Sequence, residues 1–273
     1  LFEQDTFRNV FRGIETKGQR NQHNLRIRDC LFEGQSCTPI SLDQVSNMGG
    51  VRIENNRFVG FNHFGMAFAR INGVQLIDNE IFSRNKKSVD TYNQGVHLEE
   101  HCQNFLIQEN KTDVILRKPS RQGAGFRNSG IGIASSRNIN VRNDTVRNSN
   151  INVSGGSELG GRSTLINNVI VNGRFEIYDA TDFVTLKNNK IFDPIDKAIR
   201  FRSVHNMWAP SEGHLISNNE IIRVDRYALQ IKGEITDVEI LENDIFGCDK
   251  YGILFDQYNP ISENVIEHNV FHG

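Results

Sequence analysis

An eight-residue pattern recurs along the whole chain and limits the folds that the chain can adopt. The pattern has apolar residues at positions one, three and eight and asparagine at position six, as in VRIENNRF (51–58). Position six recurs after 21 residues (Asn168 to Asn189) to 34 residues (Asn110 to Asp144). Short β-like units at such periods predict a solenoid. Position six is occupied in turn by Asp5, Cys30, Asn56, Asn79, Asn110, Asp144, Asn168, Asn189, Asn219, Asn243 and Asn269.

A second alternation of apolar and polar residues follows each copy of the pattern, as in GVHLEEH (95–101) and FEIYDAT (175–181). Alternation with a period of two predicts β-strands, and no segment has the 3.6-residue period of an amphipathic helix. The units are too short for helix pairs, and the fixed leucines of a leucine-rich repeat are missing. The sequence therefore predicts a parallel β-helix of 10–11 coils that stack at ~4.8 Å per coil.

The recurring asparagine is predicted to be part of the scaffold rather than of a site. In a stack of coils, side-chain amides at one position can hydrogen-bond to their counterparts above and below, which satisfies them when buried. The sequence thus predicts an asparagine ladder. The phenylalanines that follow the asparagine are expected to form an inner stacked ladder of their own: Phe32, Phe58, Phe82, Phe192, Phe246 and Phe271.

Coils with the motif NNxI resemble the right-handed parallel β-helix of the pectate-lyase-like superfamily, and the resemblance covers essentially the whole chain. It implies an all-β, single-stranded right-handed parallel β-helix, in one domain over residues 1–273. It also implies a polysaccharide partner and a secreted, periplasmic, cell-surface or virion location. The chain lacks the Asp-Asp and His-Gly pairs of polygalacturonases, the DPHD of alginate epimerases and the Lys and Arg-His-Gly of chondroitinase B-like lyases. The resemblance therefore assigns no catalytic residue.

Chemistry in such a stack is expected on the outward residues of one sheet, which form columns along the rod. Alignment of the strand that follows each pattern copy predicts two columns. The first column reads Glu15, Ser41, Ala67, His97, Gly132, Asn152, Glu176, Arg200, Gln230 and Leu254. The second column reads Lys17, Asp43, Ala69, Glu99, Ala134, Ser154, Tyr178, Arg202, Lys232 and Asp256.

One candidate cluster lies in HLEEH (97–101), which contributes His97, Glu99, Glu100 and His101. Imidazole beside carboxylates suits proton transfer near neutral pH, so His97 and Glu99 are catalytic candidates. The two carboxylates Glu99 and Glu100 are also a candidate Ca²⁺ site, although no cofactor is required. The alternative is a solvated strand face with a simple His–Glu contact.

A second candidate cluster lies three to five coils further on. Its catalytic candidates are Glu176, Tyr178 and Asp179, because carboxylates and a phenol can move protons. Its substrate-binding candidates are Arg200, Arg202, Lys232 and the small polar Asn152, because arginine and lysine bind carboxylates and sulfates. The alternative is an exposed ion pair between Glu176 and Arg200 of small energetic worth.

Three coils are longer than the repeat requires, through SRNKKSVDTYNQ (83–94), VILRKPSRQGAGFRN (114–128) and HNMWAPSEG (205–213). Such insertions are often functional, and here they are expected to wall the face that carries the clusters. Arg121 and Arg127 are candidate substrate ligands in a basic wall. Trp208, the single tryptophan, is predicted either to stack on a sugar ring or to anchor its loop.

Composition excludes several classes of partner. The net charge is −2, from 31 Lys and Arg against 33 Asp and Glu, so neither nucleic acid nor an anionic membrane is expected to bind by bulk attraction. No apolar run approaches a membrane span. The four cysteines, Cys30, Cys37, Cys102 and Cys248, lack metal-ligand spacing and are expected to be free thiols, with a Cys30–Cys37 bridge as the alternative.

These observations predict a protein that acts on an extended acidic, uronate-containing polysaccharide. Glu99 and Glu176 lie three coils apart, hence roughly 14 Å, which exceeds the ~5–9.5 Å of glycosidase carboxylate pairs. A lyase acting by β-elimination is therefore favoured over a glycoside hydrolase. A non-catalytic glycan-binding or phage tailspike module, monomeric or homotrimeric, is the alternative from another class. Because the chain begins and ends in mid-pattern, it is expected to be excised from a longer one.

Overall fold

The computed structural model describes residues 1–16, 24–43, 50–83, 93–114, 128–155, 162–178, 181–202, 211–256 and 263–273, without the side chains of Asn93 and Asn128. These ranges contain 32 short β-strands and no α-helix. All strand pairings given for them are parallel. Each coil passes once through three sheets, so the fold is the parallel β-helix that the repeat predicts.

The first sheet has eleven strands, each formed by the start of a pattern copy. Consecutive strands differ by three in chain order, because each coil adds one strand to each sheet. The strands are β1 (Phe2–Glu3), β4 (Arg26–Arg28), β7 (Val51–Glu54), β10 (Asn72–Ile77), β13 (Gln103–Gln108), β16 (Arg137–Arg142), β19 (Ser163–Ile166), β22 (Val184–Lys187), β25 (Ser211–Ser217), β28 (Ile235–Leu241) and β31 (Val265–Glu267).

The second sheet also has eleven strands, each formed by the end of a pattern copy. The sequence predicted two strands per coil, and the structure corrects this to three because a turn divides the pattern. The strands are β2 (Thr6–Arg8), β5 (Leu31–Glu33), β8 (Arg57–Val59), β11 (Glu80–Ser83), β14 (Lys111–Val114), β17 (Thr145–Arg147), β20 (Val169–Val171), β23 (Lys190–Phe192), β26 (Glu220–Val224), β29 (Asp244–Cys248) and β32 (Val270–His272).

The third sheet has ten strands and carries the predicted columns. It is formed by the alternating segment that follows each pattern copy. The strands are β3 (Ile14–Thr16), β6 (Ile40–Asp43), β9 (Phe64–Ala69), β12 (Asn93–Glu99), β15 (Asn128–Ala134), β18 (Asn150–Ser154), β21 (Phe175–Tyr178), β24 (Lys197–Arg202), β27 (Tyr227–Lys232) and β30 (Tyr251–Phe255).

The corner between the first and second sheets contains the asparagine ladder, and the prediction is confirmed. Asn189 is representative: its side-chain amide donates to Asn219 Oδ1 at 2.9 Å and to the Leu165 carbonyl at 2.9 Å. Its own Oδ1 accepts from the backbone N–H of Asn168 at 2.9 Å and from the Asn168 side chain at 3.0 Å. An asparagine rung such as Asn189 therefore satisfies both its carbonyl oxygen and its amino group although it is buried.

The residue before each ladder position has left-handed backbone geometry, which explains the doubled asparagines. Asn55 has φ 53° and Asn188 has φ 54°. Asparagine tolerates this region better than other residues with a Cβ. The first amide of each pair thus turns the chain, while the second forms the rung. The turning residues are Gln4, Asp29, Asn55, Asp78, Glu109, Asn143, Asn167, Asn188, Asn218, Glu242 and His268.

The core is a thin apolar column between the three sheets, filled by inward residues such as Ile53 and Leu98. Phe32 and Phe58 stack in it at 4.8 Å with ring planes 9° apart, as predicted. The prediction is wrong for Phe82, Phe192 and Phe246, which are partly exposed. Each lies one residue after the inward position, and the period of two directs such a residue to the outer face. The sixth, Phe271, is 53% exposed in the last described coil.

Cys30, Cys37, Cys102 and Cys248 are all free thiols, so the expectation of unpaired cysteines is confirmed. Burial raises the pKa of the Cys102 thiol to about 11, which keeps it protonated and inert near neutral pH.

Within the described ranges, the structure contains no helix with the length and apolar character needed to cross a bilayer.

Candidate active site on the third sheet

The register of the third sheet aligns the first column residue by residue, as the sequence predicted. Neighbouring strands pair Ala67 with His97, His97 with Gly132, and Gly132 with Asn152. The same register continues from Asn152 to Glu176 and from Glu176 to Arg200. The full first column is Glu15, Ser41, Ala67, His97, Gly132, Asn152, Glu176, Arg200, Gln230 and Leu254.

The second column is aligned in the same way over the described strands. Glu99 pairs with Ala69, and further on Tyr178 pairs with Arg202, which pairs with Lys232. Lys17, the first predicted member, lies outside the described residues. The two columns therefore run side by side along one face of the rod.

Several members of the first column are buried although they point away from the apolar core. His97 is 8% exposed, Asn152 2% and Glu176 1%. Polar and charged groups are rarely this buried unless they have partners, because they lose their hydration. A solvated strand face, the alternative reading of this sheet, does not describe these three residues. Their contacts are what distinguish the two clusters.

His97 is held in a fixed orientation by two contacts. Its Nε2 lies 2.9 Å from Glu99 Oε2, and its ring stacks on Phe64 with centroids 4.5 Å apart and planes 8° apart. The hydrogen bond with His97 lowers the pKa of Glu99, so this carboxylate is charged near neutral pH. When neutral His97 donates from Nε2, its Nδ1 has a free lone pair. This buried Nδ1 has no hydrogen-bond partner among the described residues.

Small residues flank the imidazole on both sides along the first column, namely Ala67 and Gly132. At Gly132, a Cβ would lie 2.6 Å from Gln94 Oε1 and 2.8 Å from Ser129 Oγ. The missing side chain at Gly132 thus leaves the space into which these two polar side chains extend. Gln94 and Ser129 were not predicted as site residues, because no column of the alignment contains them. Together with Asn152 they form a polar floor beside His97.

The predicted Ca²⁺ ligands Glu99 and Glu100 have separate partners. Glu99 accepts from His97, whereas Glu100 forms an ion pair with Arg70, which also binds Asp43 at 2.6 Å. The described part of the chain contains no group of three or more His, Cys, Asp and Glu side chains arranged to hold a metal ion. Ca²⁺ binding at this corner stays a prediction.

Glu176 is the centre of the second cluster. Its Oε1 lies 2.5 Å from Arg174 Nη2 and 3.6 Å from Arg200 Nη1. Its Oε2 accepts the hydroxyl proton of Tyr178. The charge of the buried carboxylate is thus neutralised by two guanidinium groups, and its Oε2 is hydrogen-bonded by a phenol, whereas Oε1 has ion pairs but no hydrogen bond of good geometry. Arg174 was missed by the sequence reading, although it precedes Glu176 by two residues and the period of two places it on the same face.

Burial raises the pKa of the Tyr178 phenol, and the neighbouring Glu176 carboxylate raises it further. A phenol with a raised pKa stays protonated near neutral pH and cannot accept a proton there. Tyr178 is therefore a hydrogen-bond donor in this cluster. Its predicted role in moving a proton stays a prediction.

The basic side chains of the second cluster differ in their availability. Lys232 forms an ion pair with Asp256 at 3.2 Å. Arg202 is partly exposed and has no hydrogen bond or ion pair with the described residues. Lys197, which the sequence reading missed, is nearly buried beside Asp196, and burial lowers its pKa. Arg202 is thus the cation best placed to receive an anionic ligand.

The two clusters are well separated along the rod. His97 and Arg200 lie in β12 and β24, four strands apart in the third sheet, which corresponds to roughly 19 Å at the spacing of parallel strands. His97 and Glu176 are three strands apart, or roughly 14 Å. The clusters can contact one extended ligand but not one sugar unit.

Four predicted site residues lie outside the described residues: Asp179, Arg121, Arg127 and Trp208. Their roles stay predictions, as does the basic wall of the two longer segments before β12 and β15.

A shallow depression of about 960 Å³ lies on a different face, over the first sheet. Arg52 donates to Glu54 at 2.5 Å and to Gln75 at 3.3 Å, and Arg142 donates to Gln108, whereas the buried Asn140 Oδ1 has no partner among the described residues. The described lining of the depression has no histidine or carboxylate that could move a proton, unlike the third sheet. The third sheet is therefore the better candidate site.

A family model for the right-handed β-helix region matches residues 129–273, just over half of the chain. The chain belongs to this family. No match was found among curated proteins.

Solved structures confirm the fold at low sequence identity. The A-module of the mannuronan C-5 epimerase AlgE6 of Azotobacter vinelandii matches with a TM-score of 0.54 and 14% identity, over 92% of this chain and 59% of that one. The catalytic domain of a GH87 α-1,3-glucanase in complex with tetrasaccharides matches with a TM-score of 0.53 and 11% identity, over 97% and 64%. The chain thus spans about three-fifths of the length of these structures. It has the pectin-lyase fold.

Proposed function

We propose that this protein is a polysaccharide-active enzyme that cleaves an extended acidic glycan by β-elimination, on the outer face of the third sheet. The face is long, carries polar side chains on successive coils and presents cations at one end. These properties suit a chain polymer with carboxylates better than a small metabolite. The two solved structures with the same fold that act on carbohydrates support the polysaccharide class but not the choice of reaction.

The observation that carries the proposal is the state of His97. Its imidazole is buried on an outward face, oriented by Glu99, and has a buried Nδ1 without a partner among the described residues. A buried polar atom without a partner is costly unless a ligand completes it. A histidine oriented by a carboxylate is suited to general base catalysis. His97 is therefore the proposed catalytic base.

In the proposed reaction, binding of the polymer uncovers the buried His97 Nδ1, which then accepts the proton from the carbon next to the uronate carboxylate. The electron pair of that C–H bond forms the new double bond, the bond to the glycosidic oxygen breaks, and the departing oxygen takes a proton from the imidazolium or from water. No oxidant or reductant is needed. Glu99 stabilises the imidazolium that forms in the first step.

Hydrolysis is less compatible with the geometry because it needs two carboxyl groups across the bond that is cut. Glu99 and Glu176 are roughly 14 Å apart, against ~5–9.5 Å for such pairs. The closer alternatives Asp43 and Glu100 both form ion pairs with Arg70. Both carboxylate oxygens of Glu176 are engaged by Arg174, Arg200 and Tyr178.

The second cluster is the proposed binding region for sugars further along the same polymer. Arg202 is available for a carboxylate, Arg200 adds positive charge on the same strand, and Lys232 adds it on the adjacent strand. Since Arg200 lies roughly 19 Å from His97, these cations hold sugar units remote from the bond that breaks. Remote binding of this kind contributes to catalysis by positioning the substrate.

The experiment is incubation of the protein with polygalacturonate, polymannuronate and polyguluronate, with Ca²⁺ and with a chelator. Ultraviolet absorbance of unsaturated products is expected, and His97→Gln is expected to lower the rate about 10²–10⁴-fold while leaving stability within ~1 kcal/mol. New reducing ends without that absorbance would assign a hydrolase. Saccharide binding with no turnover, unchanged by His97→Gln, would assign a glycan-binding module.

A further inference from the structure

Phe183 has a backbone conformation that is unusual for its side chain. It lies at the corner between the third and first sheets with φ 53°, and its residue is 44% exposed. The left-handed region is costly for a bulky residue and marks strain that often serves a function. At the position equivalent to Phe183 in other coils, the residues with positive φ are Asn24, Gly50, Gly73, Asn104, Asn138, Gly213 and Asp237; the turns that end the third-sheet strands have positive φ at Arg70, Glu100, His101, Ser135 and Gly233. Phe183 is therefore a bulky residue at a position where the other left-handed residues are Asn, Gly or Asp.

The strained corner is fixed by hydrogen bonds to the next coil. The backbone N–H of Phe183 donates to the Glu212 carbonyl at 2.9 Å, and the Glu212 N–H donates to Asp182 Oδ1 at 3.1 Å. The Val184 N–H donates to His214 Nδ1 at 3.3 Å. Strained residues persist where the surroundings determine their conformation in this way.

His214 is itself locked in place. It is buried, its Nε2 lies 2.8 Å from Ser211 Oγ, and burial lowers its pKa to about 3, so it stays neutral and keeps Nδ1 as an acceptor. The Ser211 hydroxyl donates to the Thr181 carbonyl. Both sides of Phe183 are thus bound to one strand of the next coil, and the ring has a fixed position.

The surroundings of the ring combine an apolar surface with a free cation. Arg162, its counterpart in the preceding coil, places its guanidinium carbon 5.3 Å from the Phe183 ring centroid. Arg162 has no acidic partner among the described residues. On the other side the ring lies against Gly213, where a Cβ would be 2.5 Å from Phe183 Cδ1. Glycine is therefore needed for the ring to extend over the next coil.

This corner borders the proposed binding face. Phe183 follows Tyr178, the last residue of β21, by five residues, and Arg202 ends the neighbouring strand β24. A polymer that contacts Arg202 at the margin of the third sheet would reach this corner. The exposed ring of Phe183 therefore lies next to the face on which the proposed function depends.

We propose that Phe183 and Arg162 form a sugar-binding subsite for a uronate unit. The apolar C–H face of the pyranose packs on the exposed part of the phenyl ring, and its carboxylate pairs with the Arg162 guanidinium. This inference rests on the proposed function, since it assigns one subsite of the same acidic polysaccharide. The strain at Phe183 places an aromatic ring where the scaffold alone would select Asn or Gly.

The chain contains a matched control for this pair. Phe11 is 64% exposed, and the Arg12 guanidinium carbon lies 5.4 Å from its ring centroid. This pair is in the first coil, and Arg12 already has an acidic partner in Glu15. Phe11→Ala therefore removes an equivalent exposed ring remote from the proposed subsite.

The experiment measures calorimetric affinity for hexamers of galacturonate, mannuronate and guluronate and for a neutral glucose hexamer. Phe183→Ala and Phe183→Asn are expected to weaken binding of whichever acidic hexamer binds natively, roughly five- to tenfold, from loss of the aromatic contact. Arg162→Gln is expected to weaken acidic hexamers only. Phe11→Ala is expected to bind as the native protein does. Because Asn tolerates the left-handed region, Phe183→Asn should melt at or above the native temperature.

Two outcomes overturn the inference, and they are distinguishable. Native protein that binds none of the acidic hexamers overturns the proposed function together with this subsite. Native protein that binds, with Phe183→Asn and Arg162→Gln unchanged in affinity, overturns the subsite alone. Loss of stability in Phe183→Asn with unchanged affinity would show that Phe183 is a structural anchor.

Discussion

The asparagine corner and the first column of the third sheet are built on the same geometry but differ in how their polar atoms are satisfied. Both place one residue per coil at the inter-strand spacing. In the corner, Asn189 and Asn219 bind each other and the backbone of the preceding coils. In the column, the residue type changes from coil to coil, and His97 Nδ1 and Asn152 Oδ1 have no partner among the described residues.

This difference separates scaffold from site in a solenoid. A ladder of identical residues satisfies its own hydrogen bonds, so its burial needs no ligand. A column of differing residues cannot satisfy its own hydrogen bonds in this way, because an imidazole, an amide and a carboxylate at a fixed spacing do not pair each donor with an acceptor. On the outward face of the third sheet, polar atoms such as His97 Nδ1 and Asn152 Oδ1 that neighbouring coils leave unsatisfied are therefore candidates for contact with a ligand.

The largest expected effect on the free energy of unfolding comes from a substitution in the asparagine corner. Asn189→Ala should lower the free energy of unfolding by about 4–5 kcal/mol, because it removes several buried hydrogen bonds and leaves their partners unsatisfied. Asn152→Ala, at an equally buried position of the column, should cost about 1 kcal/mol or less. Urea unfolding measures both variants. Equal losses would contradict the distinction between scaffold and site.

Asp144 is a carboxyl rung within the ladder, and its substitution has the next largest expected effect on stability. Its Oδ1 accepts from Asn110, whereas its Oδ2 has no partner among the described residues, and burial raises its pKa from 3.8 to about 7. The folded state therefore favours the protonated acid. The stability that this proton provides is complete below pH 3.8 and is lost as pH rises through about 7.

Asp144→Asn should remove this loss and restore an ordinary amide rung. At pH 9 the variant should be more stable than the native protein by up to about 4 kcal/mol, from a shift of roughly three pKa units. Below pH 4 the two proteins should be similar. Thermal melting between pH 4 and 9 provides the measurement, and parallel profiles for the two proteins would show that Asp144 is not the titrating group.

Glu176→Gln tests whether the Glu176 carboxylate stabilises its cluster at the expense of glycan binding. Removal of the carboxylate leaves Arg174 and Arg200 without their acidic partner, which should cost about 2 kcal/mol because both arginines retain some solvent contact. The freed guanidinium groups should bind an acidic hexasaccharide several-fold more tightly. Glu239→Gln, at an exposed position of the first sheet, is the control. Weaker binding by Glu176→Gln would show that the carboxylate itself contacts the glycan.

The smallest effect is expected at the turning residue beside the ladder. Asn188 is exposed and has φ 54°, so Asn188→Gly should change stability by less than ~0.5 kcal/mol and Asn188→Ala should cost about 1 kcal/mol. Differential scanning calorimetry of the two variants compares them directly. A large loss with glycine would mean that the Asn188 side chain contributes more than its backbone conformation.

The sequence was sufficient to predict the two columns of the third sheet. Each coil contributes one residue to each column, and the recurring asparagines show how the coils align. The sequence failed to show that the pattern is divided into two strands, since the left-handed residue, such as Asn55, is as polar as its neighbour. The outward direction of Phe82 and the partnership of Arg174 with Glu176 follow from the period of two, so closer counting would have found them.

Other features of the site could not be predicted from the sequence. His97 Nδ1 is unsatisfied because no described residue on the neighbouring coils places a hydrogen-bond donor next to it. The raised pKa of Tyr178 depends on burial and on the orientation of one carboxylate. Contacts and pKa shifts of this kind arise from packing between residues that are remote in sequence, and no periodicity encodes that packing.

The left-handed corner also makes each coil a transferable genetic unit. Residues 220–243 run from just after one ladder asparagine to the next, and both corners have the same geometry. Duplication of that stretch would insert one further coil in register, with its rung supplied by Asn243 and its core residues already facing inward. In such a lineage, the length of the third sheet, and of the proposed binding face on it, changes by whole coils through recombination, while point substitutions change the side chains that each coil presents.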